Sequence, residues 1–562
     1  MARSASFRSM GCIAVAVLAA AGVAGCGADP AVRAFPYRSI AWQEHDSEDV
    51  PRPPRATDLA DLDATLLIRD DIAGEVDRAF ALEGLRPARD VNASDEVPCS
   101  TWFCPRNHLR PVPPAAIAVG PPGSAPRLPL HIVKGKDEGD ALGFQVRDAD
   151  GRKFLLKLDP AGHLGMSTAA EVVGARLFHA AGYNVPANFV LDLGPDDLVV
   201  DPGATFKLYR VQTRPLTAEI VRQRLTRAAR TPDGRLRAVA VSWIDGKVLG
   251  AFDMQGRRAD DPNDRIPHED RRSLRATWLF AAWLAIYDAS AINTLDSFVE
   301  DGGRHFVRHY LIDFGAGLGS GTRDIKGPQH GGQYLVEFGR SLASMMSLGL
   351  YRRPYQSQRA DWNRAIVENP TLGWFPAEDF DVEAFRPGRK VPAHRRLTDR
   401  DAYWGAKLVT SFSDAQLIAL AAAARLEPRD AATLAHALGA RRDIIGRRYL
   451  TAMTAVEAPA VVAIGGDARV CFDDLVVARR YAGVEHVRYD VQTTDDRGRS
   501  IAASIVPAQG ARSCVAAPGA LDGYRVIAVS AELATAGGAW RRAKTSRIHV
   551  SGGRVVGLER DE

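Results

Sequence analysis

Apolar and polar residues alternate on both sides of Asp150-Gly151, a dipeptide that favours tight turns between strands. The pattern predicts a β-hairpin formed by segments 143–149 and 152–158. Successive residues of a strand point to opposite faces. The second strand therefore presents one apolar face, made by Phe154, Leu156 and Leu158, and places Lys157 on the other.

The apolar spacing becomes helical after this hairpin and changes again further along the chain. It predicts a helix from about 168 to 181 and a second from 271 to 286. A polar loop, a turn at 301–303 and a strand follow the second helix. Later helices are expected at about 334–348, 401–410, 414–426 and 429–449. From about 458, short β-like runs alternate with Gly and Asp turns, which is typical of a small β-sandwich.

The residues that precede the hairpin have a different amino-acid composition. Residues 27 to about 125 are rich in Pro, Asp and Arg, with one predicted helix near 61–82. The proline-rich run 110–129 indicates an extended linker or a strap over a surface. A compact core is expected to begin near His131.

The first 26 residues have the composition of a secretory signal. Arg3 and Arg8 precede the apolar stretch 13–24, which is too short to span a bilayer. The string Val23-Ala24-Gly25-Cys26 resembles a bacterial lipobox, which implies lipidation of Cys26. Because Gly27 is not the aspartate of inner-membrane lipoproteins, an outer-membrane anchor is expected. The alternative is an ordinary secretory signal with an incidental cysteine.

Six cysteines are present, and four remain once Cys12 and Cys26 are assigned to the signal and the lipid anchor. An exported chain with an even remainder favours disulfides. The candidates are Cys99 with Cys104 and Cys471 with Cys514. A metal site at these cysteines would need further ligands, and His108 alone does not supply them.

The charge is close to balance. The formal net charge is +4 with 72 basic and 68 acidic residues, and loss of Arg3 and Arg8 leaves +2. No nucleic-acid partner is expected from this balance. At 562 residues and 46% hydrophobic content, the chain is expected to form two or three domains.

The candidate chemistry is concentrated around two loops. Asp288 follows the apolar helix 271–286, Asn293 lies five positions later, and Asp313 ends the next strand as part of Asp313-Phe314-Gly315. Two carboxylates and an amide can bind magnesium and orient a hydroxyl for phosphoryl transfer. The alternative for each is a polar residue that stabilises a turn.

Two residues of the predicted hairpin and helix complete the set. Lys157 is a candidate contact to nucleotide phosphates, and Glu171 is a candidate partner that holds its ammonium in place. Lys157 has the alternative of an exposed strand lysine. Glu171 has the alternative of a capping box with Thr168 as the N-cap residue.

Taken together, the order Lys157, Glu171, Asp288, Asn293, Asp313 resembles the protein-kinase-like superfamily over about residues 131–450. The chain is nearer to atypical members, such as HipA-like and phosphatidylinositol-kinase-like kinases. It has Ile286-Tyr287 in place of His-Arg before the catalytic aspartate, Ser290 in place of lysine, no GxGxxG loop and no Ala-Pro-Glu. There is also no GxxxxGK[ST], HExxH or GxSxG motif.

The resemblance implies an α+β, bilobal kinase-like fold: a β-rich N-lobe at 131–245 and a helical C-lobe at 246–455. A β-sandwich at 456–562 would follow. It implies ATP and Mg²⁺ as cofactors, with Asp288 as the catalytic aspartate and Asn293 and Asp313 as metal ligands. It also implies Lys157 and Glu171 as cofactor-binding residues, with Lys157 at the phosphates and Glu171 as its partner. It does not identify the group that accepts the phosphoryl.

Three functions are compatible with these patterns. The first is an exported, lipid-anchored atypical kinase that acts on an unknown acceptor. The second is a catalytically inactive kinase-like lipoprotein that binds a nucleotide or a protein partner. The third is a structural envelope lipoprotein whose β-rich tail makes the contacts. Little ATP is expected outside the bacterial inner membrane, and this is the reason for considering the second function, a catalytically inactive protein.

Overall fold

The computed structural model describes residues 35, 38–74, 86–136, 141–208, 212–369, 371–465 and 467–562. The lipobox and Cys26 lie outside these ranges. Within them the chain is a mixed α+β structure with several sheets. This confirms the predicted α+β class. None of the described helices is long and apolar enough to cross a membrane.

The segment ahead of the first sheet is more structured than its composition indicates. Helix α1 (Leu59–Thr65) begins at an Asp58 cap and continues into a π-helical turn at Leu66–Ala73. The run expected to be an extended linker contains helix α2 (Pro114–Val119), whose Ile117 is buried. Proline suits the first turn of a helix, where its missing N–H costs nothing. The linker interpretation of this run was therefore wrong for its first half.

The first sheet has seven strands: β1 (Leu130–Gly135), β2 (Gly143–Arg147), β3 (Lys153–Leu158), β4 (Asn188–Leu193), β5 (Leu198–Leu208), β6 (Gln212–Pro215) and β7 (Leu236–Ser242). Their order is β4-β7-β3-β2-β1-β5-β6, with β1 and β5 parallel and the other neighbours antiparallel. Helix α3 (Met166–Ala181) follows β3, and helix α4 (Ala218–Leu225) follows β6. The predicted hairpin is confirmed as β2 and β3.

The sheet buries its two faces differently. One face forms an apolar cluster that includes Phe154, Leu156 and Leu158 of β3. The other face packs against α3 through Val172, Val239 and Val241. Lys157 lies on this second face, between the sheet and the helix.

A second sheet has three antiparallel strands in the order β10-β9-β8: β8 (Lys247–Gly250), β9 (Thr294–Asp301) and β10 (Arg304–Leu311). The predicted helix 271–286 is observed as two helices, α5 (Arg272–Arg275) and α6 (Thr277–Leu284). The β9–β10 hairpin returns the chain from the end of α6 to Asp313. This return is what brings the Asp288 loop and the Phe-Gly turn together.

The helical part after β10 consists of α7 (Phe338–Met346), α8 (Arg359–Glu368), α9 (Pro392–Arg395), α10 (Asp399–Val409), α11 (Asp414–Ala423) and α12 (Pro428–Tyr449). Helices α10 and α12 pack on α6, and α11 packs on α2 and α3. The four helices predicted here are confirmed in position. Trp283 and Trp404 lie fully buried where these helices meet.

The C-terminal residues form two further sheets. One contains β11 (Val456–Ile464), β12 (Asp467–Asp474) and β15 (Arg512–Ala516). Helix α13 (Leu475–Ala478) follows β12. The other sheet contains β13 (Val487–Thr494), β14 (Ser500–Pro507), β16 (Arg525–Ala534), β17 (Trp540–Arg542), β18 (Ser546–Ser551) and β19 (Arg554–Arg560). The β-like runs predicted from about 458 are strands.

Both predicted disulfides are present. Cys99 and Cys104 are bonded across five positions, and Cys471 on β12 is bonded to Cys514 on β15 across 43 positions. Disulfides persist in oxidising compartments. They are therefore consistent with an exported protein.

The two disulfides are expected to differ in their effect on stability. Chain-entropy arithmetic gives about 4 kcal/mol for a closed loop the length of 471–514 and about 2 kcal/mol for one the length of 99–104. We therefore expect Cys471→Ala with Cys514→Ala to lower the free energy of unfolding by more than Cys99→Ala with Cys104→Ala does. Denaturant titrations of the two double variants measure this difference. Equal losses would contradict the loop-length explanation.

Candidate functional site

The site is built around the side chain of Lys157 on the central strand β3. Because this face of the sheet is covered by α3, Lys157 is only 5% exposed. Its Nζ donates to Glu171 Oε2 at 2.7 Å and to Asp313 Oδ1 at 2.9 Å. The interpretation of Lys157 as an exposed strand lysine is therefore wrong.

Glu171 reaches Lys157 because another residue caps its helix. Helix α3 begins after Gly165 (φ +89°), and Thr168 lies within its first turn. The Asp159 carboxylate, just after β3, accepts from the backbone N–H groups of Gly165 and Thr168, both at 2.8 Å. The capping-box interpretation of Thr168 and Glu171 was wrong, since Asp159 satisfies these donors and leaves the Glu171 carboxylate to Lys157.

The Phe-Gly turn fixes Asp313 beside α3. Phe314 is buried against Gly174, and its ring centroid lies 5.1 Å from that of Phe178. A Cβ on Gly315 would lie 3.3 Å from Glu171 Oε2. Asp313 itself has φ +62°, a conformation that few residues other than glycine adopt. The turn thus brings Asp313 to Lys157 at the cost of a strained backbone.

Asp288 and Asn293 lie in the loop that follows α6. The helix ends at Ala285, which has the left-handed φ of +52°. Asn293 Nδ2 donates to the main-chain oxygen of Asp288 at 2.9 Å. The N–H of Ile312 donates to the oxygen of Asn293 at 3.0 Å. These bonds join the Asp288 loop to the residue before Asp313.

The Asp288 carboxylate has an unusual environment. Its Oδ1 is buried and has no hydrogen-bond partner among the described residues. Burial raises the pKa of Asp288, and the ammonium of Lys326 offsets part of that rise. A buried acceptor without a donor is costly to keep. It is therefore a candidate for a group that meets a ligand or substrate proton.

The other charged residues of the site have pKa shifts with different causes. Burial alone would raise the pKa of Asp313, but the ammonium groups of Lys157 and Lys136 outweigh it and lower the pKa to about 2. Burial alone would lower the pKa of Lys157, but Asp313 and Glu171 raise it above its ordinary value. Asp313 and Lys157 are therefore both charged near neutral pH. Burial raises the pKa of Glu171, and the charge of Lys157 opposes this rise.

Two further lysines belong to this site and were not predicted. Burial lowers the pKa of Lys136, which follows β1, while the charge of Asp313 opposes the shift. Burial also lowers the pKa of Lys326, opposed by Asp288 and Asp313. Lys326 Nζ donates to the oxygen of Ala316 at 2.7 Å and lies 5.1 Å from the centre of the Tyr287 ring. Gly135, directly before Lys136, and Gly139, three positions after it, were a weak signal for Lys136, and no local pattern marks Lys326.

A cavity of about 310 Å³ opens beside Lys157. Its charged end contains Lys136, Lys157, Glu171 and Asp313. Its remaining wall is largely apolar and includes Leu155, Val241, Trp243, Leu295 and Ile312. A larger cavity of about 620 Å³ shares segment 242–244 but is not lined by any of the five predicted residues. The smaller cavity suits a ligand with an apolar ring and an anionic tail.

The structure thus brings Lys157, Glu171 and Asp313 into direct contact, with Asp288 and Asn293 in the adjoining loop. Asn293 and Asp313 both line a small cavity of about 40 Å³ between that loop and the Phe-Gly turn. No cluster of three or more His, Cys, Asp or Glu suited to a metal ion occurs in the described ranges. A divalent ion here would need ligands from a bound nucleotide as well.

No protein-family model matches the chain, and no curated protein matches it. Among solved structures it is similar to two crystal structures of the Golgi casein kinase, one of them with Mn/ADP bound. In each case the TM-score is 0.27 at 10% identity, over 57% of this chain and 73% of that chain. A TM-score this low does not establish a shared fold. The functional assignment therefore depends on the site geometry.

The buried ion pairs predict a large stability loss when Lys157 alone is removed. Lys157→Met leaves Glu171 buried without its cation, which costs about 3 kcal/mol or more. Lys153→Met, on the same strand but exposed, is the matched control and should change stability by less than about 0.5 kcal/mol. Denaturant titration measures both. Adding Glu171→Gln to Lys157→Met should recover part of the loss, and additive losses would contradict the pairing.

Substitution of Asp288 is expected to have the opposite effect on stability. Because its pKa is higher in the fold than in the unfolded chain, its ionised form destabilises the fold at every pH above the ordinary value of 3.8. Asp288→Asn should therefore raise the free energy of unfolding at neutral pH. The gain should shrink as the pH falls through the raised pKa of the folded state toward 3.8. It should be absent at lower pH, where the wild-type carboxyl is protonated in both states. Unfolding titrations across this pH range measure it, and a less stable variant at neutral pH would contradict it.

Proposed function

We propose that this chain is an atypical kinase that transfers the γ-phosphoryl group of Mg-ATP to an acceptor hydroxyl. The observation that carries the proposal is the contact of one buried ammonium, Lys157, with both Glu171 and Asp313 at the charged end of a cavity. The buried, unpartnered oxygen of Asp288 in the adjoining loop supports it. Phosphoryl transfer depends mainly on positioning and charge neutralisation, and this site offers both.

The proposed nucleotide lies with its base in the apolar part of the cavity and its phosphates toward Lys157. Leu155, Val241 and Leu295 supply apolar contacts for a flat ring. Lys157, held by Glu171, contacts the phosphates, and Lys136 adds a second positive charge. Because the Lys157 ammonium is already fixed by two carboxylates, it needs little reordering when the anion arrives.

Asp313 and the side-chain oxygen of Asn293 are the proposed protein ligands of the metal. Mg²⁺ is commonly held by one or two protein oxygens together with substrate phosphates and water. The low pKa of Asp313, about 2, keeps its carboxylate ionised and ready to bind a cation. When bound, the metal neutralises charge on the phosphate oxygens.

Asp288 is the proposed group that orients the acceptor. The acceptor oxygen forms a bond to the γ-phosphorus while the bond from that phosphorus to the bridging oxygen of ADP breaks. The acceptor proton passes to Asp288. The raised pKa of Asp288 makes its carboxylate a better proton acceptor than an ordinary aspartate. The charge of Lys326 interacts with both Asp288 and Asp313. Lys326 therefore stabilises negative charge between them.

The proposal includes the finer architecture expected from the sequence. Residues 131–245 and 246–455 would form two lobes on either side of the cavity, and residues 456–562 would form a β-sandwich domain. Cys26 would carry a lipid that anchors the protein, with the outer membrane as the expected location. The two disulfides support an exported location for the chain.

A nucleotide-binding protein without catalysis is the second candidate. The observation that favours it is the set of departures around the catalytic aspartate, where Ile286-Tyr287 precede Asp288 and Ser290 follows it. The ion pairs of Lys157 would serve phosphate binding equally well without turnover. The two candidates therefore share the cavity and differ in the role of Asp288.

Binding and turnover measurements distinguish these candidates. Mg-ATP should stabilise the wild-type protein by about 2.7 kcal/mol at a concentration one hundred times its Kd. Asp288→Asn should bind Mg-ATP with similar affinity but lower turnover, measured as ADP formation or autophosphorylation, by about 10²–10⁴-fold. Asp313→Ala should lose the magnesium dependence of binding. Thermal shift and phosphate transfer assays measure these effects.

The exposed residue Asp522 provides a matched control, and Asp522→Asn should leave both binding and turnover unchanged. Stabilisation by Mg-ATP, with no turnover above that of the Asp288→Asn variant, would favour the binding protein. Absence of any stabilisation by Mg-ATP would reject both candidates. It would leave the structural lipoprotein, for which deletion of residues 458–562 is expected to abolish function.

A further inference from the structure

Helix α7 and the turn after it expose an unusual amount of apolar surface. The helix contributes no buried residue to the fold. Met345 and Met346 are 68% and 76% exposed, and Leu348 and Leu350 in the following turn are 94% and 85% exposed. Phe338 and Leu342 continue the same apolar surface, at 54% each. Exposure this high means that these side chains project from the surface instead of lining a groove.

Positive charge accompanies this apolar projection along the sequence. Segment 335–359 contains four arginines at 340, 352, 353 and 359, and Glu337 is its one acidic residue. Glu337 pairs with Arg340 at 3.4 Å. The segment therefore has a net charge of +3, in a chain whose whole net charge is +4. Apolar side chains flanked by arginines are typical of segments that lie in the interface of an anionic bilayer.

The base of the projection is held firmly against the candidate site. The N–H of Leu335 donates to the oxygen of Gly388 at 2.7 Å, and the N–H of Gly388 donates to the oxygen of Tyr287 at 2.6 Å. Lys390 Nζ donates to the oxygen of Val336 at 2.5 Å. Tyr287 directly precedes Asp288. Two backbone hydrogen bonds thus connect the start of the projection to the loop that carries the proposed catalytic aspartate.

We propose that segment 335–359 is a membrane-docking element whose apolar tip inserts into an anionic lipid bilayer. A tip of largely exposed leucines and methionines suits a fluid apolar phase, which closes around protruding side chains. A protein partner would have to offer a matching groove. Arg352 and Arg359, which are both exposed, are the residues proposed to contact lipid phosphates. This docking is independent of the acyl chain expected at Cys26 and of the proposed kinase activity.

Docking has a consequence for the candidate site. Because the element is joined through Gly388 to Tyr287, insertion of the tip holds the Asp288 loop near the bilayer surface. Acceptor groups carried at that surface would then be held at a high local concentration. Loss of membrane docking would leave nucleotide binding intact, since no residue of segment 335–359 lines the cavity beside Lys157.

Vesicle flotation tests the proposal, with the mature chain from residue 26 onward carrying Cys26→Ser, so that neither the apolar stretch 13–24 nor an acyl group contributes. Binding is expected to phosphatidylcholine vesicles that contain phosphatidylglycerol, and to be much weaker with phosphatidylcholine alone. Leu348→Asp with Leu350→Asp should lower the partition coefficient by about 10²-fold. Arg352→Gln and Arg359→Gln should each lower it about fivefold. Because the replaced leucines are exposed, folding is expected to be unaffected, and circular dichroism checks this.

Two matched variants lie away from the element. Ile418→Asp replaces an apolar side chain that is 60% exposed on α11, and Arg429→Gln removes an exposed cation from α12. Both should retain wild-type vesicle binding. Failure of the Cys26→Ser protein to float with anionic vesicles would overturn the proposal. Equal losses in the control variants would do the same, as would dimers in sedimentation that Leu348→Asp with Leu350→Asp converts to monomers without altering flotation.

Discussion

A buried ammonium that needs two carboxylates is the constraint on which the site depends. Lys157 cannot be buried as an ion unless partners surround it, because the loss of water around a charge is expensive. Glu171 and Asp313 are those partners, and they come from a helix and from a turn after a separate hairpin. One interaction therefore joins the seven-stranded sheet, helix α3 and the segment after β10. The two ion pairs thus connect these elements to one another.

Neighbouring residues make this arrangement possible because they meet the other structural requirements of helix α3. Asp159 accepts the N-terminal N–H groups of α3, so Glu171 is not needed as a cap. Arg237 donates to Thr168 Oγ1 at 2.9 Å and holds the start of the helix from the side of β7. Gly174 provides the space into which Phe314 packs. Each contact is structural, and together they leave the polar atoms of the site available.

The site also keeps features that a stability-optimised fold would lack. Asp313 has a left-handed backbone conformation, and Asp288 has a buried oxygen without a donor among the described residues. Strain and unmet hydrogen-bonding capacity tend to persist where function requires them. The same lysine-rich surroundings lower the pKa of Asp313, while burial raises that of Asp288. Two nearby carboxylates are thereby suited to different tasks, cation binding and proton acceptance.

The sequence by itself determined the local elements and the identity of the polar residues. The β2–β3 hairpin, the helices from α10 to α12, the C-terminal strands and both disulfides follow from turn residues, apolar spacing and cysteine count, which are properties of neighbouring positions. The tertiary structure decided that Lys157 is buried, that Asp159 caps α3 in place of Thr168, and that Lys136 and Lys326 join the site. It also placed a helix in the proline-rich run. These outcomes depend on which distant segments meet, and charge burial and capping are settled only by those contacts.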